Sequence, residues 1–217
     1  MRLSFRQLPV FWSIMLSAVL LLLSLLVSFS KDAGFLLIQL KHSALLNIIF
    51  NLLTFPGDGI SCVVIVLILF GFVSYRKAIT LMWGYLLGSL VVQSVKVYFD
   101  NPRPAKWFEL ESIDLVLPEG LSPHMWSSFP SGHSAASATL FLFLAGITGK
   151  PQLQILCALA AILVGYSRIY LYMHFPEDVV TGFIVGLLSM WYADRFLARW
   201  FEKAQKPWEN KSFFIKE

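Results

Sequence analysis

LPVFWSIMLSAVLLLLSLLVSF, residues 8–29, carries no charged residue over 22 positions, and its length decides the class of fold. A helix rises 1.5 Å per residue, so roughly 17 to 25 apolar residues cross the hydrocarbon core of a bilayer. The stretch is apolar on every side and lacks the polar stripe of a helix lying on a soluble core. The whole chain agrees. Its 217 residues are 57% hydrophobic and 14% charged, with a mean hydropathy of +0.70, too apolar for a soluble domain. Five further runs have spanning character, at about 57–75, 78–98, 132–149, 151–172 and 177–195. The expected fold is therefore all-α, an integral membrane bundle of six transmembrane helices. Arg2 and Arg6 precede the first run as they would a secretory signal. A signal core is only roughly 7 to 15 residues, however, and no small-residue cleavage site follows, so a retained span is expected.

Counting Lys and Arg orients the bundle. With six spans both chain ends share a face, which collects Arg2, Arg6, Arg76, Lys77, Lys150, Arg195, Arg199, Lys203, Lys206, Lys211 and Lys216, eleven of the seventeen basic residues. Lys31, Lys41, Lys96, Arg103, Lys106 and Arg168 fall on the other face. Basic residues accumulate on the cytoplasmic side, so both termini are expected in the cytoplasm. The net charge of +4 then reflects topology and a basic tail, residues 199–217, that meets anionic membrane lipids; it calls for no nucleic acid partner. The chain reads as one domain, 1–217, with no fixed-period repeat and no low-complexity linker. Residues 31–59 are apolar but interrupted by Lys41, His42, Asn47 and Asn51 and closed by Pro56-Gly57, the pattern of an interfacial segment. Residues 99–130 form an outer-face loop in which Trp107, Phe108 and Trp126 accompany Glu109, Glu111, Asp114 and Glu119, as expected of an interfacial cap. Cys62 and Cys157 fall in different spans, in opposite halves of the bilayer, and imply no disulfide.

The same alternation gathers charge at one depth. Lys96 ends the third span, Arg103 follows in Asn101-Pro102-Arg103-Pro104, and His133 opens the fourth in Pro130-Ser131-Gly132-His133. Arg168 closes the fifth span, and His174 and Asp178 lead into the sixth. A charged residue in a spanning segment costs about 2.5–3.5 kcal/mol on insertion scales, so such residues are rare, paired and functional. A lone Lys or Arg could be a snorkelling anchor and a lone His a helix cap. Three cations, two histidines and a carboxylate at one depth are more than anchoring needs. Three fixed cations suit an anion with two or more charges spread over several oxygens, which describes phosphate better than carboxylate. Pro130-Ser131 starts a helix, so the backbone N–H groups of Ser131, Gly132 and His133 lack intrahelical partners and, with the positive end of the helix dipole, face the same anion. Gly132 permits close approach. His174 and Asp178 are four residues apart, neighbours on one helical face if Pro176 begins the turn. The carboxylate can then keep one ring nitrogen protonated and aim the other as a nucleophile.

In this order and spacing the residues resemble the three signature motifs of the type 2 phosphatidic acid phosphatase superfamily. The first is Lys96-Val97-Tyr98-Phe99-Asp100-Asn101-Pro102-Arg103-Pro104, the second Pro130-Ser131-Gly132-His133, and the third Ser167-Arg168 with five residues before His174 and three more before Asp178. The resemblance covers residues 96–178 by motif and the whole chain by its six-helix plan. It is to the membrane-bound bacterial lipid phosphatases rather than to the soluble acid phosphatases and vanadium haloperoxidases that share the motifs, because this chain has spans. It implies that His174 attacks phosphorus in line to give a phosphohistidine while Asp178 orients its ring. His133 then protonates the leaving lipid oxygen and later activates water. Lys96, Arg103 and Arg168, with the Ser131 and Gly132 backbone, stabilise the transferring phosphoryl oxygens. No cofactor and no metal are expected, since three cations do the charge work of a metal ion. Opposite starting states, neutral at His174 and protonated at His133, imply a bell-shaped pH dependence.

The expected protein is thus a metal-independent lipid phosphatase of a bacterial inner membrane, acting on a phosphomonoester or diphosphate at the periplasmic face. Candidate substrates are undecaprenyl diphosphate, phosphatidylglycerol phosphate, phosphatidic acid and the phosphates of lipid A. An anion or lipid-phosphate transporter would instead spread its charges along a path through the membrane. A non-catalytic lipid-binding protein would not need both histidines and Asp178. The motif residues hold only the phosphate, so discrimination falls to residues 105–128, residues 31–59 and the bundle grooves. Four carboxylates against Lys106 in the first of these disfavour a heavily anionic head group.

Overall fold

Proline and glycine punctuate an all-helical chain. The structure is a computed structural model that describes residues 7–113, 123–204 and 210–214. Among these, the helices in chain order are α1 (Pro9–Ser28), α2 (Lys31–Leu37), α3 (Ala44–Thr54), α4 (Gly59–Phe72), α5 (Tyr75–Phe99), α6 (Pro104–Leu110), α7 (Gly132–Thr148), α8 (Pro151–Tyr170) and α9 (Pro176–Ala204). A single 3-10 turn, Phe55–Gly57, joins α3 to α4. Pro9, Pro104, Pro151 and Pro176 each open a helix, where the missing N–H is no loss and the fixed φ is already helical. Left-handed residues close two of the long ones, Asp100 after α5 (φ 37°) and Gly149 after α7 (φ 65°). Asp114, Glu119, Arg2, Arg6, Lys206 and Lys216, which enter the charge arguments above, lie outside the described residues.

The apolar character reappears as an apolar exterior. Leu21 of α1 is 70% exposed and Val27 88%, as expected of side chains facing lipid. By length and composition α1, α8 and the stretch Tyr75–Leu110 that contains α5 can each cross a membrane. The pair Ala44–Gly57 and Gly59–Phe72, bent by 49°, makes a fourth candidate if it is one broken span. α7, with 17 residues, is shorter but apolar. Residues 31–59, expected as one interfacial segment, are two helices and a turn. Ser30 and Ser43 cap α2 and α3 by accepting from the N–H groups of Ala33 and Leu46. Within the expected outer loop the Pro104 start yields a two-turn helix, α6, whose Phe108 is fully buried.

Hydrogen bonds place the chain ends. The N–H of Phe11 donates to Gln154 near the start of α8. Residues 211–214 dock on the α4–α5 junction, with Tyr75 N–H donating to Lys211 O, Phe213 N–H to Phe70 O and Phe214 N–H to Gly71 O. The tail, expected from its charge to meet membrane lipids, is therefore partly packed on the bundle, and Ser212 is buried. α5 starts at that junction and ends about 37 Å away at 1.5 Å per residue, beside the motif residues. Both described ends of the chain thus lie opposite the charged cluster.

α7, α8 and α9 form the centre, and small residues let α7 and α9 meet. A Cβ on Gly182 would sit 2.5 Å from Ser131 O and 2.8 Å from Ser134 Cβ, and one on Gly186 would collide with the Ala135 carbonyl. In lipid, where apolar surface drives helices together only weakly, such close backbone contact is a main source of association. Its consequence here is positional: α9 is held directly against the first turns of α7.

Candidate active site

The reversal after α5 brings two cations to one short strip of backbone. Lys96, one turn from the end of α5, donates to the carbonyls of Ser127 and Ser128, the latter at 3.2 Å. Arg103 precedes a proline and is held extended, as that position requires. Its N–H donates to Met125 O at 2.8 Å, its Nε to Trp126 O at 2.8 Å, and Nη1 lies 3.5 Å from Met173 Sδ. Ser128 N–H donates to Asn101 O at 2.9 Å, closing the strip onto the reversal. Arg103 is also within electrostatic reach of Asp178.

Beyond α8 the chain turns around a carbonyl. Arg168 O accepts from the N–H groups of Met173 (2.9 Å) and His174 (3.1 Å), with Tyr172 left-handed at φ 56°. The cation and the histidine are thereby tied at fixed separation. Pro176 then starts α9, and the first turn returns Asp178 beneath His174, as the four-residue spacing requires. Asp178 Oδ2 accepts from Ser128 Oγ (2.5 Å), Phe175 N–H (2.8 Å) and His174 Nδ1 (3.3 Å). A carboxylate only accepts, so Nδ1 carries the ring proton and Nε2 keeps its lone pair. Both side chains are 2% exposed. Burial pushes the His174 pKa down to about 4, outweighing the hydrogen bond and charge of Asp178 that raise it. At neutral pH the ring is uncharged, with Nε2 available.

Ser131 caps α7. Its hydroxyl accepts from Ser134 N–H at 3.3 Å and from Ser134 Oγ at 2.9 Å. Its own N–H donates to Asp178 O at 2.9 Å, which differs from the expectation that this group faces an anion. The close α7–α9 contact has claimed it. The N–H groups of Gly132 and His133 keep no acceptor among the described residues. Gly57 packs on the same turn, where a Cβ would lie 2.8 Å from His133 O. His133 is within electrostatic reach of Arg168, His174, Arg103 and Lys96. Arg168 is 7% exposed, and its buried Nε has no hydrogen-bond partner among the described residues.

All eight residues expected from the sequence, Lys96, Arg103, Ser131, Gly132, His133, Arg168, His174 and Asp178, thus converge at one end of the bundle. Glu177, which fits no motif position, pairs with Lys31 at 2.8 Å. Lys31 lies over the rings of Trp107 and Phe175, and Trp107 Nε1 donates to Asp32 at 2.6 Å, so α2 clamps α6 to the start of α9. Sequence reasoning did not find Ser128, whose only signal is its place two residues before Pro130. It also passed over Gly182 and Gly186, whose four-residue spacing could have marked a helix contact. No group of three His, Cys, Asp or Glu side chains among the described residues is placed to hold a metal ion.

An all-helical, lipid-facing bundle with phosphate-type cations around a carboxylate-held histidine defines the class of membrane-embedded phosphatases. The chain belongs to the PAP2 superfamily, whose family model matches residues 77–205. It is 32% identical over 156 residues to phosphatidylglycerophosphatase B of Bacillus subtilis, covering 68% of this chain and 70% of that protein. Its fold is similar to the crystal structure of Aquifex aeolicus LpxE, with a TM-score of 0.66 and 31% identity over 77% of this chain and 97% of that one. It is also similar to that of a transmembrane PAP2-type phosphatidylglycerolphosphate phosphatase from Bacillus subtilis, with a TM-score of 0.54 and 26% identity over 89% of this chain and 98% of that one. The protein is a membrane lipid phosphatase of this family.

Proposed function

We propose that the protein hydrolyses a lipid phosphomonoester or diphosphate through a phosphohistidine on His174, at the outer face of a bacterial inner membrane. The observation that carries this is the buried Arg168 Nε, without a hydrogen-bond partner among the described residues, on a chain segment whose carbonyl also positions the His174 backbone. A buried donor left unpaired is unfavourable by about 1–3 kcal/mol, more when charged, and a phosphoryl oxygen relieves it. Nε2 of His174 attacks phosphorus as the P–O bond to the lipid breaks. Asp178 steadies the positive charge that develops on the ring. His133 gives its proton to the departing oxygen, then takes one from the water that cleaves the N–P bond, releasing inorganic phosphate. Lys96, Arg103, Arg168 and the Gly132 and His133 N–H groups hold the equatorial oxygens, while Ser131 keeps that helix end in place. In this reading α4, α7 and α9 cross the membrane together with α1, α5 and α8. Both termini are cytoplasmic, because the excess of Lys and Arg lies at the end opposite the site.

The test is phosphate release in detergent with EDTA present, for wild type and His174→Ala, against a panel of lipid phosphates. The expected result is EDTA-resistant release that is lost in the variant, with inhibition by vanadate, which adopts the five-coordinate geometry of the transition state. Equal release by both proteins would falsify the nucleophile assignment.

A further inference from the structure

α9 has 29 residues and is about 43 Å long at 1.5 Å per residue, longer than the roughly 30 Å of hydrocarbon in a bilayer. Counted from Pro176 beside the active site, Arg195 comes about 28 Å along, where a crossing helix reaches the head groups of the opposite leaflet. Around it two rows recur every four residues and adjoin on one face: Arg195, Arg199 and Lys203, and beside them Tyr192, Phe196 and Trp200. With Trp191 they line a hollow of about 510 Å³ that belongs to α9 alone. Each of these residues is exposed. The Arg195 guanidinium lies over the Trp191 ring at 5.5 Å, and the Tyr192 and Phe196 rings stack at an interplanar angle of 11°. The three cations make no salt bridge among the described residues. No carboxylate lines the hollow. Asp194, on the same helix, is buried and lines a different hollow with Ser74 and Thr80.

We propose that this face of α9 is a discrete binding site for an anionic phospholipid of the leaflet opposite the active site, and that a lipid with two phosphates fills it best. The proposal goes beyond the phosphatase reading and takes from it only that α9 crosses the membrane. Exposed cations without a carboxylate partner, at head-group depth, draw the negative phosphates of the leaflet surface. The row from Arg195 to Lys203 covers about 12 Å of helix, longer than a single phosphate is wide. The rings supply the other half of the match. Tyr and Trp present an apolar body and a polar tip, which suits the glycerol and carbonyl level of a lipid, and Tyr192 lies on the bilayer side of the cations, where the acyl chains run. A sequence signal of topology alone would need cations at this end but no particular order. Here each cation stands beside a ring over one hollow, while residues 211–214 of the tail pack on the bundle instead of on lipid.

The experiment is native mass spectrometry of the full-length protein in detergent, titrated with cardiolipin, which has two phosphates, phosphatidylglycerol, which has one, and phosphatidylcholine, whose head group has no net charge. A single cardiolipin should be retained, more tightly than phosphatidylglycerol, with phosphatidylcholine the weakest. Arg199→Gln should weaken cardiolipin about five-fold, roughly what one basic residue contributes at a membrane surface, and Arg195→Gln combined with it roughly 25-fold. An unchanged melting temperature without added lipid verifies that these exposed variants are folded. Lys150→Gln removes an exposed cation at the same end of the bundle, and Arg168→Met removes a cation of the candidate active site; both should retain cardiolipin as wild type does. Equal retention of cardiolipin and phosphatidylcholine overturns the proposal, and phosphatidylglycerol held as tightly as cardiolipin overturns the two-phosphate assignment. A loss in Lys150→Gln that matches Arg199→Gln would mark diffuse surface charge, and a loss in Arg168→Met would put the lipid in the active site; either refutes a discrete site on α9. Failure of the phosphatase reading is distinguishable, because lipid retention is read without catalysis.

Discussion

Ser128→Ala isolates how far the His174–Asp178 pair depends on its surroundings. The Ser128 hydroxyl lies 2.5 Å from Asp178 Oδ2 and is directed at the carboxylate, in a residue that is 1% exposed. Hydrogen bonds to charged groups contribute about 1.5–3 kcal/mol, and burial favours the upper part of that range. Phe175 N–H and His174 Nδ1 still hold the same oxygen, so the carboxylate should stay near its position while losing angular restraint. If that loss is felt only where charge develops on the ring, it appears in kcat, as a fall of roughly 10- to 150-fold at 1.36 kcal/mol per decade. KM should remain within about two-fold, since the hydroxyl is committed to Asp178. Steady-state kinetics in detergent measure both parameters, and a thermal melt guards against general destabilisation. An unchanged kcat, or a raised KM at constant kcat, refutes the assignment of Ser128 as the support of Asp178.

The remaining expectations concern packing, protonation and charge. Gly182→Val drives side-chain atoms into Ser131 O and Ser134 Cβ, so overpacking of about 1–3 kcal/mol should appear as a lowered melting temperature together with lost activity; a variant as stable as wild type would show that α7 and α9 need not touch there. With the His174 pKa pushed down to about 4, the nucleophile loses its lone pair only below that value, and the acid limb of kcat/KM should fall near pH 4 rather than near the ordinary 6.5. The same shift has a stability counterpart: between pH 6.5 and about 4 the unfolded chain binds the proton and the folded one does not, so stability should decline as pH falls through that window. Arg168→Met removes a buried cation whose Nε lacks a hydrogen-bond partner among the described residues, and should leave the protein at least as thermostable as wild type while abolishing activity and the stabilisation that added phosphate or vanadate gives. A large drop in the melting temperature of that variant without ligand would contradict the account of Arg168 as a waiting clamp.

The site was legible in the sequence because its members are costly where they stand. Lys96, Arg168 and His133 interrupt or end apolar runs, and His174 and Asp178 share a face by spacing alone, so residue type and position suffice to single them out. Helix positions came through for a similar reason: proline starts and apolar length are local signals, and α1 and α8 lie where the runs place them. What did not come through is what depends on chain crossing chain. That Ser131 N–H is claimed by Asp178 O follows from the approach of α7 to α9, some 47 residues apart in sequence. The role of the strip at 125–128 follows from two reversals meeting, and Ser127 and Ser128 are indistinguishable by type. The bend of 49° between α3 and α4 likewise sits at a Pro-Gly step that marks a break but not its angle.

The partners chosen for the cations separate a site that binds phosphate from one that merely stores charge. Lys96 and Arg103 are oriented by carbonyls of residues 126–128, which fix geometry without cancelling charge. A carboxylate in the same place would pair with the cation and then compete with the incoming phosphate. The nearby acids are kept occupied: Glu177 by Lys31, Asp32 by the Trp107 indole, and Asp178 by His174, Ser128 and the Phe175 N–H. Asp58 acts on Arg168 at electrostatic range, without a salt bridge among the described residues. The cluster therefore keeps a positive surplus that the fold does not neutralise, held in place by the close α7–α9 contact and the α2 clamp. In the proposed mechanism a multiply charged phosphoryl group supplies the missing charge, between Arg168, the first turn of α7 and the lone pair of His174. In that proposal the same surplus that makes the resting site unfavourable to assemble is what makes it selective for phosphate.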